Sequence, residues 1–280
     1  MTQRKLQQIV TGQATTDGAG VELVRVIGQP ALMDLDPFLL LDTFRSDDPD
    51  DYIAGFPPHP HRGFETVTYL LNGRMRHKDN AGNEGVIEPG GIQWMTAGKG
   101  IVHSEMPEQE NGMLEGFQLW INLPAKSKMT LPAYQEHGQD QIPVESRGET
   151  QIRVVSGKTS QDTIGPISQP LTEPLYLDVS LPANTRFSES LPDTHNAFVY
   201  VINGEINIDD EQGKAVSVGR DQLAVLTHGD SVELLSQADT RFLLVAGKPL
   251  NEPVARGGPF VMNTDSEIQQ AFRDYRSGNF

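Results

Sequence analysis

Two short pairs of residues carry the chemistry this chain can do: His59-Pro60-His61 and His103-Ser104-Glu105. Residues two apart in an extended strand point to the same face. Each pair can therefore aim two ligand atoms at one point, provided folding brings the two strands together. Neutral imidazole and carboxylate are good ligands for first-row transition metals. Three histidines and one carboxylate would fill four of six octahedral positions and leave two for a bidentate substrate, or for substrate plus dioxygen. That is the logic of the two-His-one-carboxylate iron site. Glu65 shares parity with His59 and His61 and competes with Glu105 for the carboxylate role; spacing does not choose between them. The remaining histidines, His77, His137, His195 and His228, have no partner at a useful spacing and are expected to be ordinary surface or core residues. Phe56, Met95, Phe117 and Gln118 are candidate pocket walls.

The elements that must position these pairs read as strands. Phe56-Pro57-Pro58 forces an extended approach to His59. Val21 to Gly28 alternates apolar and polar residues, and Phe38 to Leu41 is a short buried run. Phe64 to Leu71 is rich in Thr, Val, Tyr and Leu and stops at Asn72-Gly73, the strongest short hairpin signal. Further strands are expected at 74–78, 86–87, 92–96, 101–105 and 114–123. Short strands at this spacing, with Gly-rich turns between them, predict an all-β fold of barrel or jelly-roll type. Residues 124–150, rich in Pro, Lys, Gln and Glu, read as a crossing between two modules, which gives domains at 1–130 and 131–280.

The β pattern resumes near residue 152 as an internal repeat. Thr66-Val-Thr-Tyr-Leu-Leu-Asn-Gly73 is matched by Ala197-Phe-Val-Tyr-Val-Ile-Asn-Gly204, an offset of 131, and Gly90 and Gln93 by Gly219 and Gln222, an offset of 129. Those offsets carry His59 and His61 to Ser190 and Pro192, and His103 and Glu105 to Val232 and Leu234. None is an iron ligand, so the second module is expected to be metal-free, its site filled by apolar side chains. The chain closes with a helix over Asp265–Ser277. Thr264-Asp-Ser-Glu267 forms a capping box, and Ile268, Ala271, Phe272 and Tyr275 share a face suited to a barrel wall.

With 22 basic and 38 acidic residues among 280, the net charge of −16 disfavours direct contact with nucleic acid or anionic membranes. The Asp47-to-Asp51 run is a solvated acidic loop. No apolar run approaches the ~18 residues of a membrane span, and the N-terminus has no secretion-signal pattern. There is no cysteine, which excludes disulfides and thiolate metal sites and removes any need for an oxidising compartment. A cytoplasmic location is the expectation.

Pro58-His-Pro-His-Arg-Gly-Phe-Glu-Thr-Val-Thr-Tyr-Leu-Leu-Asn-Gly73 and Gly91-Ile-Gln-Trp-Met-Thr-Ala-Gly-Lys-Gly-Ile-Val-His-Ser-Glu-Met-Pro107 resemble the signature of the pirin family within the cupin superfamily. Trp120 to Met129 and Gly258 to Thr264 are similar to it as well, so the resemblance covers nearly the whole chain. It implies a bicupin, two β-barrels packed together, with one mononuclear iron in the N-terminal barrel held by His59, His61, His103 and Glu105. It decides the carboxylate in favour of Glu105 over Glu65. It also implies quercetin 2,3-dioxygenase activity on a flavonol bound through its 3-oxygen, with O2 as co-substrate. Glu105 then acts either as ligand alone or also as the base that takes the hydroxyl proton. Fe(II) is the implied metal, though Mn, Co, Ni, Cu and Zn suit the same donors. Two alternatives stand beside this reading: an iron-dependent redox-sensing regulator that binds a protein partner, and an iron cupin acting on another small aromatic or carbonyl compound.

Overall fold

The computed structural model describes residues 2–280. The chain forms two compact units of the same antiparallel design, each a seven-stranded sheet and a four-stranded sheet. In the unit carrying both motifs, the larger sheet runs in the spatial order Ala133–His137, Ile92–Thr96, Phe64–Asn72, Leu114–Asn122, Phe38–Ser46, Val21–Ile27, Gln13–Asp17. Its smaller sheet is Phe56–His61, Ile101–Pro107, Met75–Asp79, Glu84–Ile87. The other unit repeats both orders. Its larger sheet runs Leu6–Thr11, Gln222–Leu226, Asn196–Asn203, Thr240–Gly247, Leu175–Leu181, Thr150–Ser156, Val144–Arg147.

The units are not the consecutive halves 1–130 and 131–280. The stretch through Gly12 belongs with residues 140–249, and residues 250–280 belong with the motif-bearing barrel. The reason lies at the sheet edges. Gln222–Leu226 would present unpaired N–H and C=O groups, and the N-terminal strand Leu6–Thr11 covers them. In the first barrel the matching edge, Ile92–Thr96, is covered by Ala133–His137. The segment 124–150 is thus more than a crossing, since it supplies that strand and Val144–Arg147 as well.

The turn at Asn72-Gly73 is present, with Gly73 at φ +83°, but the strands on either side of it do not form a hairpin. Phe64–Asn72 is already paired along both edges, with Ile92–Thr96 and Leu114–Asn122. The chain leaving Gly73 therefore passes to the smaller sheet. Asn203-Gly204 repeats this corner, with the flanking strands again in different sheets.

The second barrel corrects the offset of the first ligand pair. Glu189 stands opposite Val232, as His59 stands opposite His103, so the counterpart of His59 is Glu189 rather than Ser190. A slip of one residue exchanges the two faces of a strand. Ser190 and Pro192 are accordingly exposed, while Phe187 and Leu191 join Val232 and Leu234 in one apolar cluster. The buried Glu189 carboxylate accepts from Arg147 Nη2 (2.5 Å) and the Ser160 N–H (2.7 Å).

The C-terminal helix spans Asp265–Ser277 with its capping box formed and Gly278 in the left-handed conformation as its C-cap. Ile268 and Ala271 are buried, and with Phe272 and Phe280 they lie on Phe260 and Met262 of the short Ala255–Gly257/Phe260–Met262 hairpin. Arg62, adjacent to His61, reaches toward this helix. It donates to Asp274 Oδ2 at 2.7 Å and lies 4.5 Å from the Phe280 ring.

Candidate metal centre

Phe56–His61 is the edge strand of the smaller sheet. That place suits a strand with prolines at 57, 58 and 60, because proline cannot donate to a ladder. The strand pairs antiparallel with Ile101–Pro107, His59 opposite His103 and His61 opposite Ile101. Alternation then turns His59, His61 and His103 toward one point. Their ligand atoms all lie within 4.8 Å of one another.

His59 Nδ1 is 2.8 Å from the Pro57 carbonyl, and His61 Nδ1 is 3.4 Å from the Pro259 carbonyl. A carbonyl only accepts, so both rings carry their proton on Nδ1 and expose the Nε2 lone pair. The two Nε2 atoms are 3.0 Å apart. Two lone pairs at that distance repel unless a cation lies between them. Imidazole nitrogens sit about 2.1 Å from a first-row metal, and two such bonds at right angles span about 3 Å. His61 and His103 are almost fully buried. Burial, reinforced by the neighbouring imidazoles, pushes His103 down to about 3 and His61 well below the usual histidine value. Both stay neutral, the form a metal requires. The ring nitrogens of His103 have no hydrogen-bond partner, which a bound ion would supply for Nε2. The donor set fits a metal.

Glu105 follows a register shift in its strand and is 4% exposed. Its Oε2 lies 3.9 Å from His103 Nε2. Thr68 Oγ1 donates to its Oε1 at 2.9 Å, and Gln118 Nε2 approaches Oε2 at 3.5 Å. Burial raises the Glu105 pKa, with His59 and the Thr68 hydroxyl opposing that rise. Glu65 is on the other face of its strand, where it accepts from Thr96 Oγ1 at 2.6 Å. The alternation of faces breaks at Gly63. That residue turns the chain at φ +89°, and a Cβ there would lie 2.0 Å from the Val261 carbonyl oxygen. The turn is glycine's to make, and it ends the alternation that begins at His59.

A cavity of about 680 Å³ opens onto His59, His61 and Glu105. Its apolar wall includes Leu40, Phe44, Phe56, Met75, Trp120 and Val261, and its polar wall Arg25, Asp42, Thr68 and Gln118. Of the expected wall residues, Phe56 and Gln118 line the cavity. Met95 and Phe117 are buried elsewhere, Met95 with Ala97 and Ile101.

Residues 20–121 match the pirin family model, and residues 176–280 match that of the pirin C-terminal cupin domain. The chain belongs to the pirin family. It is 53% identical to a pirin-like protein of Caulobacter vibrioides over the full length of both chains. It is 43% identical to human pirin, covering 98% of this chain and 93% of that protein. Among solved structures, a quercetin 2,3-dioxygenase from Acinetobacter baumannii superposes with a TM-score of 0.90 at 33% identity, covering 99% of this chain and 98% of that one.

In this member of the pirin family, several residues around the centre carry no signal in their spacing. His77 is one. It stands opposite Glu105, as Asp79 stands opposite His103. Cross-strand partners share a face, so His77 is a buried neighbour of the centre rather than an isolated histidine. Its Nε2 lies 2.5 Å from Glu136 Oε1, and its ring lies beside Tyr134. Thr68 is another, while Gln118, expected as a pocket wall, also reaches toward Glu105. The i, i+2 relation of His77 to Asp79, in step with Glu105 and His103 across the ladder, is the signal that points to His77. Among the described residues, no helix is long and apolar enough to cross a membrane.

Proposed function

We propose that the protein is a metal-dependent dioxygenase that cleaves quercetin or a related flavonol with O2 at a mononuclear Fe(II) site, with His59, His61, His103 and Glu105 as ligands. One observation carries this reading: the Nε2 atoms of the part-buried His59 and the buried His61 face each other at 3.0 Å at a 680 Å³ cavity of mixed apolar and polar lining. The quercetin 2,3-dioxygenase name of the Acinetobacter structure supports the choice of substrate. The overall reaction takes up one O2 and releases one CO per flavonol. The bound ion would supply a Lewis-acid site for the substrate's enol oxygen and the one-electron chemistry that dioxygen needs.

The protein's own residues do the rest. Leu40, Phe56 and Trp120 give the flat rings an apolar wall and exclude water. Thr68 fixes Glu105 through Oε1, which leaves Oε2, whose contacts to Gln118 and His103 are 3.5 Å and 3.9 Å, as the atom that takes the enol proton. The carbonyls of Pro57 and Pro259 hold the tautomers that expose Nε2.

The test is anaerobic loading with Fe(II), followed by quercetin and then oxygen, with flavonol absorbance and CO both measured. Loss of flavonol with matching CO is expected. Full metal occupancy without turnover would reject the dioxygenase and favour a regulatory role with a protein partner. Turnover that survives His103→Ala would reject the ligand assignment instead.

A further inference from the structure

A row of polar side chains crosses the larger sheet of the metal-bearing barrel in register. Glu136 is opposite Gln93, Gln93 opposite Thr68, Thr68 opposite Gln118, Gln118 opposite Asp42, and Asp42 opposite Arg25. Cross-strand partners share a face, so six neighbouring strands put one polar residue each into a single stripe. The stripe is bonded along much of its length. Gln93 Nε2 donates to Glu136 Oε1 (2.6 Å), and Thr68 Oγ1, whose one proton goes to Glu105 at 2.9 Å, lies 2.6 Å from the Gln118 side-chain amide. Arg25 grips Asp42 with two parallel bonds, Nε to Oδ1 at 2.8 Å and Nη2 to Oδ2 at 2.7 Å.

The four residues from Thr68 to Arg25 line the cavity. Asp42 is 4% exposed, and each of its oxygens takes one Arg25 N–H. A carboxylate oxygen has two acceptor sites, so each keeps capacity for a donor arriving in the cavity. Thr68, which touches Glu105, and Asp42 are two strand spacings apart, about 10 Å. That is the length scale of a multi-ring polyphenol, laid with its flat faces on the apolar wall and its oxygen-bearing edge on the stripe.

We propose that Asp42, oriented by Arg25, accepts hydrogen bonds from the outer-ring phenolic hydroxyls of a planar polyphenol whose enol oxygen lies at Glu105. The inference rests on the flavonol reading above and adds a selectivity to it: outer-ring hydroxyls, and not only the enol-ketone edge, are read by the protein. The Arg25–Asp42 pair is a specificity element and takes no part in the proton transfer at Glu105.

The test compares quercetin with 3-hydroxyflavone, which keeps the enol and carbonyl but has no hydroxyl on either outer ring. Affinities are measured anaerobically on the Fe(II)-loaded protein by quenching of tryptophan fluorescence, so no turnover is needed. The native chain should bind quercetin about 10- to 100-fold more tightly, the factor carried by a hydrogen bond to a charged group. In Asp42→Asn the ratio should fall to within about threefold. Because Asp42→Asn leaves Arg25 without its charge partner, the double variant Arg25→Met/Asp42→Leu is the second arm. Replacing an ion pair by apolar residues of similar volume commonly preserves folding; Asp17, which also accepts from Arg25 Nη2 at 3.0 Å, is solvent-exposed and stays hydrated, and the ratio should collapse there too. Equal affinity for both compounds in the native chain overturns the proposal, as does a preference that survives in the double variant or binding of neither compound. Admitting oxygen afterwards separates the two readings. A preference that depends on Asp42, without CO release, rejects the dioxygenase and keeps the binding assignment.

Discussion

At the scale of single residues, the centre depends on side chains whose role is to hold others still. The hydroxyl of Thr68 is the clearest case, donating to Glu105 where both side chains are almost fully buried. Thr68→Val keeps the shape and removes the donor. Partners of metal ligands typically contribute 10- to 100-fold to metal affinity. We expect Fe(II) or Ni(II) affinity to fall by about that factor, with circular dichroism unchanged. Unaltered affinity in a metal titration would show that Glu105 needs no such support. His77 marks the limit of reading single residues. Its spacing in the chain is unremarked, and its place beside Glu105 comes from pairing with a strand more than twenty residues away.

At the scale of elements, the C-terminal helix is fastened to the ligand strand through Arg62. The guanidinium is nearly buried, and it bonds Asp274 and the Lys99 carbonyl. The hydrogen bond from Arg62, helped by Gln270, holds Asp274 below its ordinary value of 3.8. A carboxyl whose pKa is lowered by folding stabilises the native state fully above its unfolded value, and that contribution is lost as pH falls through the folded value. Docking of the helix should therefore be insensitive to pH above about 4 and weaken below it. The measurement is the amide protection factors of 265–277 against pH, where Asp274→Asn should show low protection throughout and no acid step. A native helix whose protection is flat down to pH 2 would disprove the fastening.

At the scale of the whole molecule, the two termini have traded places relative to the repeats. The N-terminal strand completes the sheet edge of the second barrel, and Arg4 anchors it. Its guanidinium is buried and donates to the carbonyls of Thr227 (3.1 Å), Pro192 (2.7 Å) and His195 (2.7 Å). Removing the donors strands the buried His195 carbonyl and takes a partner from two part-buried ones. Arg4→Met should lower stability by roughly 2–4 kcal/mol and open Gln222–Leu226 to hydrogen exchange. A change within about 0.5 kcal/mol, the range of an ordinary surface substitution, would show the strand to be held by its ladder alone.

What the sequence determined by itself was local. Prolines on both sides of His59, alternation over His59–His61 and His103–Glu105, the Asn-Gly corners, and the capping box at Thr264 each express a backbone preference of a few neighbouring residues. Those preferences survive folding, so the jelly-roll class, the histidine cluster and the helix limits were legible. Tertiary structure alone decided the rest. Glu65 is turned away because a positive φ at Gly63 breaks the parity that begins at His59. The hairpin at Asn72 does not form because Phe64–Asn72 already has partners on both edges. The polar stripe exists because Asp42 meets Gln118, and Gln118 meets Thr68, across strands distant in the chain. Register between distant strands is set by the fit of whole faces, and no short stretch of sequence contains it.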